Sequence, residues 1–438
     1  MTAMELFGLI LALALLIILS LKGVDLIAIT IISSLVVIAT NGLNWQSTLL
    51  DGYMGGFSSY AGTWMFVMVF GALFGRVMSD TKSAHTIALW MTERMGARYC
   101  VLAIGIVTCL LTWAGISGFV IMFVIAPLAL VMMYENNIPR FLLPAIITFG
   151  NVPACGTLPY SIDVTNLIPT KYLPTTIGSA PVLGLIGGAV IFAGGYWYVM
   201  RCIRRLKKTM NSDAVEATYA GITLEDCDRS TWPPLWKAFI PLLTVIVILF
   251  TAQQFMDSVP AVLLALSGAC VAGLLLNWKH LENRSGIIRG GIESGLMSLC
   301  TAAAVMGFSA VVQLSPAFPN IIEKIMDLNF HPYIKEFVGI NILSGIVGSS
   351  TSGVTIFMEN LSKRFLDMGL NPAAIHRIAP VSGAGLNSLP NGISVSITMS
   401  YTKVSYHDGY FQVFVCSVIL PVLAGTLITA LCVFGFIM

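Results

Sequence analysis

The sequence predicts an all-α polytopic membrane protein made of two inverted-topology repeats, each with one re-entrant hairpin and one broken helix. Three observations carry this: composition, a pattern of interruptions that occurs twice, and the placement of basic residues. Of 438 residues, 57% are apolar and only 10% are charged. Mean hydropathy is +0.87. A soluble domain carries about 25% charge, so the deficit points to a chain dissolved largely in lipid.

Apolar runs lie at 6–21, 26–39, 64–74, 182–192, 238–250 and 413–437. A span needs about 20 largely apolar residues, so the shorter runs must extend into their flanks, and about 10–12 crossings plus two hairpins are expected. The N-terminus shows neither a basic n-region nor a small-residue cleavage site, so 6–21 reads as a retained first span.

The interruptions come in two matched sets. In the first half, Gly-Ile-Ser-Gly at 115–118 breaks one apolar run and Gly-Asn-Val-Pro-Ala-Cys-Gly-Thr-Leu-Pro at 150–159 breaks the next. In the second half, Gly-Ser-Ser-Thr-Ser-Gly at 348–353 and Gly-Ala-Gly-Leu-Asn-Ser-Leu-Pro at 383–390 do the same. Pro139 and Pro372 stand equally far before Gly150 and Gly383. A broken helix frees peptide groups that hydrocarbon cannot satisfy, so it persists only where protein, water or a solute supplies partners. Paired breaks of this kind mark the binding site of a transporter.

Basic residues set the orientation. Arg201-Cys-Ile-Arg-Arg-Leu-Lys-Lys208 follows a span and opens a polar stretch, so 201–236 reads as a cytoplasmic loop. Counting outward in both directions gives two halves of like order and opposite orientation. Residues 1–200 hold a hairpin at 99–134 and a broken helix at 141–168. Residues 237–438 hold a hairpin at 336–366 and a broken helix at 373–400. Lys335, Lys363 and Arg364 at the base of the second hairpin run against the positive-inside tendency.

The candidate binding residues lie at the tips and breaks. Glycine lets a backbone approach a ligand closely, and helix N-termini beside a tip offer free N–H groups to an anion. Ser117, Gly118, Ser350, Thr351 and Ser352 are therefore substrate candidates, although small residues also serve plain helix packing. Asn151, Thr157 and Ser161 surround the first break, and Asn387, Ser388 and Asn391 the second. Their amides and hydroxyls suit a hydroxylated solute, while freed carbonyls could hold a cation. Ionisable residues at membrane depth are costly and usually functional. Asp163, Glu359 and His376 are the ion-coupling candidates, and Arg377 could attract an anion. The bland alternatives are helix capping for Asp163 and interfacial snorkelling for His376, Arg377 and Glu293.

Other classes find little support. No Gly-x-Ser-x-Gly elbow, His-Glu-x-x-His pair or phosphate loop is present, so neither an enzyme nor a nucleotide-driven pump is expected. The nine cysteines form no metal-ligand pattern, and a net charge of +2 offers no basic face for nucleic acid. No cofactor or metal is expected.

These motifs resemble those of the gluconate permease (GntP) family within the ion transporter superfamily. The nearest match is Ser-Gly-Ala-Gly-Leu-Asn-Ser-Leu-Pro-Asn-Gly at 382–392. The resemblance implies a multi-pass secondary transporter of the inner (plasma) membrane, working as a homodimer by an elevator-like movement. It implies proton symport of a small carboxylate such as gluconate or a related hydroxy acid. A sodium-coupled carboxylate transporter, or a sodium/proton antiporter without organic substrate, is the alternative. The chain departs from acidic hairpin-proximal motifs of some relatives, which leaves the coupling ion open.

Overall fold

The computed structural model describes residues 3–95, 99–113, 118–219, 232–252, 254–256, 258–278, 284–327 and 329–437. Among these residues every regular element is helical. The first part of the chain gives α1 (Ala3–Leu21), α2 (Leu26–Asn41), α3 (Trp45–Ser47), α4 (Met54–Asp80), α5 (Ser83–Met95), α6 (Cys100–Trp113), α7 (Gly118–Glu135), α8 (Leu143–Gly156) and α9 (Val164–Leu167). The middle gives α10 (Pro181–Thr209), α11 (Ser212–Ala217), α12 (Leu235–Ala252), α13 (Ser258–Leu276), α14 (Arg284–Gln313) and α15 (Ala317–Asp327). The last part gives α16 (Pro332–Val347), α17 (Ser350–Asp367), α18 (Pro372–Leu386), α19 (Ile393–Thr402), α20 (Tyr406–Phe414) and α21 (Leu420–Val433). Wider π-helical turns at Thr48–Tyr53 and Val415–Ile419 make α3–α4 and α20–α21 continuous rods.

Among the described residues seven helical stretches are long and apolar enough to cross a membrane, so the protein is a multi-pass membrane protein. That number is below the 10–12 expected because helices interrupted at a break or a tip are each shorter than a full span. α6, α8, α16 and α18 have 14, 14, 16 and 15 residues. α10 continues through the basic run to Thr209, which carries helix into the segment expected as loop.

The sequence sets the helix ends by capping. Asp25 Oδ1 accepts the Ile27 and Ala28 amides at the start of α2, and Gly42 closes that helix in the left-handed region. Asn371 caps α18 through the Ala373 amide, with Pro372 at the first helical position, where no N–H is required. Ser405 caps α20 in the same way.

One group of helices, α1, α2, α4 and α12–α14, packs together, with α4 against α14 as its centre. Small residues allow that approach: Gly56 sits against Met306 and Ala310, and Gly291 and Gly295 against Leu73 and Val69. A second group comprises α6, α8, α10, α16–α18 and α21. α7 and α19 join the two groups by packing on α4 and α14. The second broken segment, 387–392, is largely buried, whereas the first exposes Tyr160 and Ile162.

Candidate functional site

The site begins with the two places where helices stop. α8 ends at Gly156 and regular structure resumes only at α9. Between them the chain is tied by named groups. Thr157 turns back on Pro153, giving both its amide (2.9 Å) and its hydroxyl (2.8 Å) to that carbonyl. Trp113 Nε1, at the end of α6, donates to the Pro159 carbonyl at 2.9 Å, and the Ile162 amide returns a bond to the Trp113 carbonyl at 3.1 Å. α18 ends at Leu386 and α19 starts at Ile393. In that gap Tyr410 donates its hydroxyl to the Ser388 carbonyl (3.1 Å) and Tyr406 to the Pro390 carbonyl (3.4 Å). Asn341 Oδ1 accepts the Leu386 amide at 3.3 Å. Side chains from neighbouring helices thus take over backbone bonding that the interruptions remove, as a membrane interior demands.

The start of α7 and the α16–α17 turn each meet a break. A Cβ built on Gly118, the first residue of α7, would lie 2.6 Å from Asn151 Nδ2. Asn151 is held from the other side, since the Thr112 hydroxyl donates to its Oδ1 at 2.8 Å. At the second turn, Asn391 Nδ2 donates to the Gly345 carbonyl (2.8 Å) and the Ile393 amide to the Gly348 carbonyl (3.0 Å). Ser349 caps α17 by accepting the Ser352 amide at 3.3 Å. The amides of Ser350 and Thr351, first in that helix, lack intrahelical acceptors by geometry and carry its positive dipole end.

A cavity of about 230 Å³ opens between these parts. Of the sequence candidates, Gly118, Asn151, Asp163, Ser350, Thr351, Asn387 and Ser388 line it. Further lining comes from Trp64 on α4, Thr148 and Cys155 on α8, Ser394 and Thr398 on α19, and Ser417. Sequence reasoning missed Trp64, Thr148, Ser394, Thr398 and Ser417. Trp64 sits inside an apolar run and carried no local signal, whereas Ser394 and Thr398 are one helical turn apart just after the break and could have been read as one polar face. Among the described residues that line the cavity, Asp163 is the only carboxylate and no lysine, arginine or histidine is present. Asp163 also caps α9, with Oδ1 accepting the Thr165 amide at 2.9 Å.

The other candidates lie elsewhere. Ser117 falls outside the described residues. Thr157 and Ser161 are buried under the first break, and Ser161 Oγ accepts the Asp163 amide at 3.4 Å. Ser352 and Asn391 serve the second turn as just described. Glu359 lies on the exposed face of α17, opposite the buried Phe357, Met358 and Leu361. Glu293 is paired with Arg289 at 2.8 Å on an exposed surface.

Arg377 and His376 are both buried beneath the first break and absent from the cavity wall. Arg377 Nη1 donates to the Thr157 carbonyl (3.0 Å) and Asn166 Oδ1 (3.2 Å). Its Nη2 donates to the Ile177 carbonyl (3.2 Å), and both Nε and Nη2 reach the Ser179 carbonyl. Asn166 Nδ2 donates to the Ser161 and Ile177 carbonyls, so its Oδ1 must accept. The 3.3 Å contact from His376 Nε2 to that oxygen therefore makes Nε2 the donor, and in a neutral ring Nδ1 accepts from the Thr175 hydroxyl at 2.8 Å. Both side chains stitch residues 157–179 to α18.

A solute-sized cavity at two interrupted helices inside a multi-pass helical protein is the arrangement of a membrane transporter. The family model described as GntP family permease matches residues 4–434, and the chain belongs to that permease family. It is similar to an uncharacterised transporter, YxjC, of Bacillus subtilis (strain 168), with 26% identity covering 95% of this chain and 96% of that protein. A shorter similarity, 33% identity over 103 residues, covers 23% of this chain and 22% of the high-affinity gluconate transporter of Escherichia coli (strain K12). Among solved structures, the YdaH transporter of Alcanivorax borkumensis aligns over 89% of each chain at 13% identity with a TM-score of 0.43.

Proposed function

We propose that the protein imports a small hydroxycarboxylate, gluconate or a related sugar or hydroxy acid, by proton symport. The observation that carries this is the cavity wall. Asn151, Asn387, Ser388 and Thr398 supply amide and hydroxyl groups for a hydroxylated solute, and the start of α17 at Ser350 and Thr351 faces the same space for a carboxylate. A volume of about 230 Å³, against the ~30 Å³ share of one liquid water, suits a multi-atom solute better than a bare ion. The partial similarity to a gluconate transporter points the same way.

In this reading residues 1–200 and 237–438 are inverted repeats, the 201–236 segment is cytoplasmic, and the inner membrane is the site of action. The hairpins at 99–134 and 336–366 travel with the broken helices as one elevator-like body within a homodimer. Asp163, at the cavity wall, is the residue that senses a cation or proton beside the solute. Sodium as the coupling ion, or sodium/proton exchange with no organic solute, is separated by the same experiment.

That experiment is uptake of labelled gluconate, lactate, hydroxybutyrate and citrate into proteoliposomes under an imposed proton or sodium gradient. Accumulation of a hydroxycarboxylate driven by the proton gradient is expected. If no carboxylate accumulates under either gradient, the reading fails; gradient-driven ion exchange alone would identify an antiporter. Gly118→Ala gives a sharper check. Its methyl would push Asn151 from a position fixed by Thr112, so KM should rise roughly tenfold, equivalent to about 1.4 kcal/mol, with the unfolding temperature nearly unchanged.

A further inference from the structure

Glu336 is a fully buried carboxylate without a hydrogen-bond partner. It lies on α16, the first arm of the second hairpin, with 0% exposure. Neither Oε1 nor Oε2 has a hydrogen-bond partner. It does not line the cavity. Twelve residues separate it from Gly348, about 18 Å along a helix at 1.5 Å per residue, so it is not a substrate ligand.

Its surroundings are apolar and poorly furnished with charge. α16 packs against α14, α15, α17, α18 and α21. Among the described residues, Tyr333 on the same helix and Cys432 on α21 are titratable groups near enough to feel a charge on Glu336. The Tyr333 hydroxyl oxygen accepts the Asn371 amide at 3.0 Å. Lys335 on the same helix is engaged with the Met326 carbonyl at 2.8 Å. Glu323, Lys324 and Asp327 on α15, and Glu359, Lys363, Arg364 and Asp367 on α17, are exposed. Arg377 and His376 on α18 are committed to residues 157–179, and Arg289 and Glu293 on α14 to each other on the surface. Thr429, three residues before Cys432 on α21, is also buried with an unpartnered hydroxyl.

An ionised carboxylate cannot occupy such a place without partners, since its desolvation costs several kcal/mol. The protonated acid can. Losing the proton therefore requires α16 to carry Glu336 to water or to a polar partner, which means repacking α16 against α21 or α15. Protonation and this packing are two sides of one equilibrium. We propose that Glu336 carries the coupled proton: it holds it in the packing shown, and releases it to water as carboxylate after the hairpin moves. This rests on the symport reading and assigns carriage and release of the proton to Glu336, with Asp163 as the carboxylate that senses charge beside the solute.

The test compares the full-length wild type, Glu336→Gln and Glu336→Asp in proteoliposomes. Gln keeps the shape of the protonated acid but cannot release a proton. One pH unit is worth about 1.4 kcal/mol, or about tenfold accumulation per proton carried, so E336Q should lose about that factor of gradient-driven accumulation. Exchange of external label for preloaded solute should survive in E336Q, which also certifies its fold. E336D should keep accumulation with a displaced pH profile, and remains informative if E336Q fails to fold. Difference infrared spectra of purified protein at neutral pH should show a protonated-acid carbonyl band in wild type that E336Q removes. Wild-type accumulation retained in full by E336Q, a wild-type pH profile in E336D, or no infrared change in E336Q overturns the assignment of Glu336 alone. A wild type that accumulates no carboxylate overturns the symport reading instead.

Discussion

Gly348→Ala is expected to abolish transport and to lower the unfolding temperature in detergent markedly. Gly348 closes α16 with φ of 70°, a left-handed conformation that costs an L side chain about 1–2 kcal/mol. The added methyl would also overlap the Asn391 carbonyl oxygen, a backbone atom that cannot rotate away. Relief requires the α16–α17 turn to separate from the second break, against the bonds from Asn391 Nδ2 to Gly345 and from Ile393 to Gly348. Overpacking of this kind adds on the order of 1–3 kcal/mol. Gly369→Ala provides the control. Gly369 has φ of +77° but nothing within 4 Å of a built Cβ, so it should show the conformational cost alone and keep transport. Equal losses in the two variants, measured by thermal unfolding and uptake, would refute the proposed collision.

The difference between these glycines illustrates what the sequence can reveal. Breaks rich in Gly, Asn, Ser and Pro are legible, because each residue type states a backbone requirement locally. The ends of α8 and α18 follow from that chemistry. Side-chain direction is less legible, though not hidden. Glu359 was attractive for its depth along the chain, yet it shares the α17 face with Asn360, Lys363 and Arg364, an exposed polar stripe at helical spacing. Glu336 shows the opposite failure. It stands near a hairpin base, among residues that read as a helix end, and only the packing of α16 against other helices makes it interior. Trp64 reaches the cavity from a helix that belongs to the other packed group. Such juxtapositions arise between elements distant in sequence, and no local pattern encodes them.

Arg377 is where that limit has the largest consequence. A lone arginine before a break invites a role in drawing in an anion, but its guanidinium is 0% exposed and makes five hydrogen bonds to acceptors some 200 residues away in sequence. No carboxylate is among those partners: backbone and amide oxygens solvate the charge, and the planar fork serves several at once. Removing it strands the Thr157 carbonyl in the interior and leaves the Ser179 carbonyl without its two guanidinium bonds, at about 1–3 kcal/mol for each unsatisfied group, while the Ile177 carbonyl keeps the Tyr160 amide and Asn166 Nδ2. Arg377→Met should therefore cost on the order of 2–6 kcal/mol and leave little folded protein. Arg377→Lys keeps the charge but not the fork, so it should fold with a lowered unfolding temperature. Because Arg377 does not line the cavity, KM in the folded R377K fraction should match wild type. The opposite pattern, an unchanged unfolding temperature with a raised KM for an anionic solute, would return Arg377 to the substrate path. Thermal unfolding and concentration-dependent uptake on one preparation of R377K decide between the two, since a residue that holds residues 157–179 against α18 affects the amount of working protein and one that contacts solute affects its affinity.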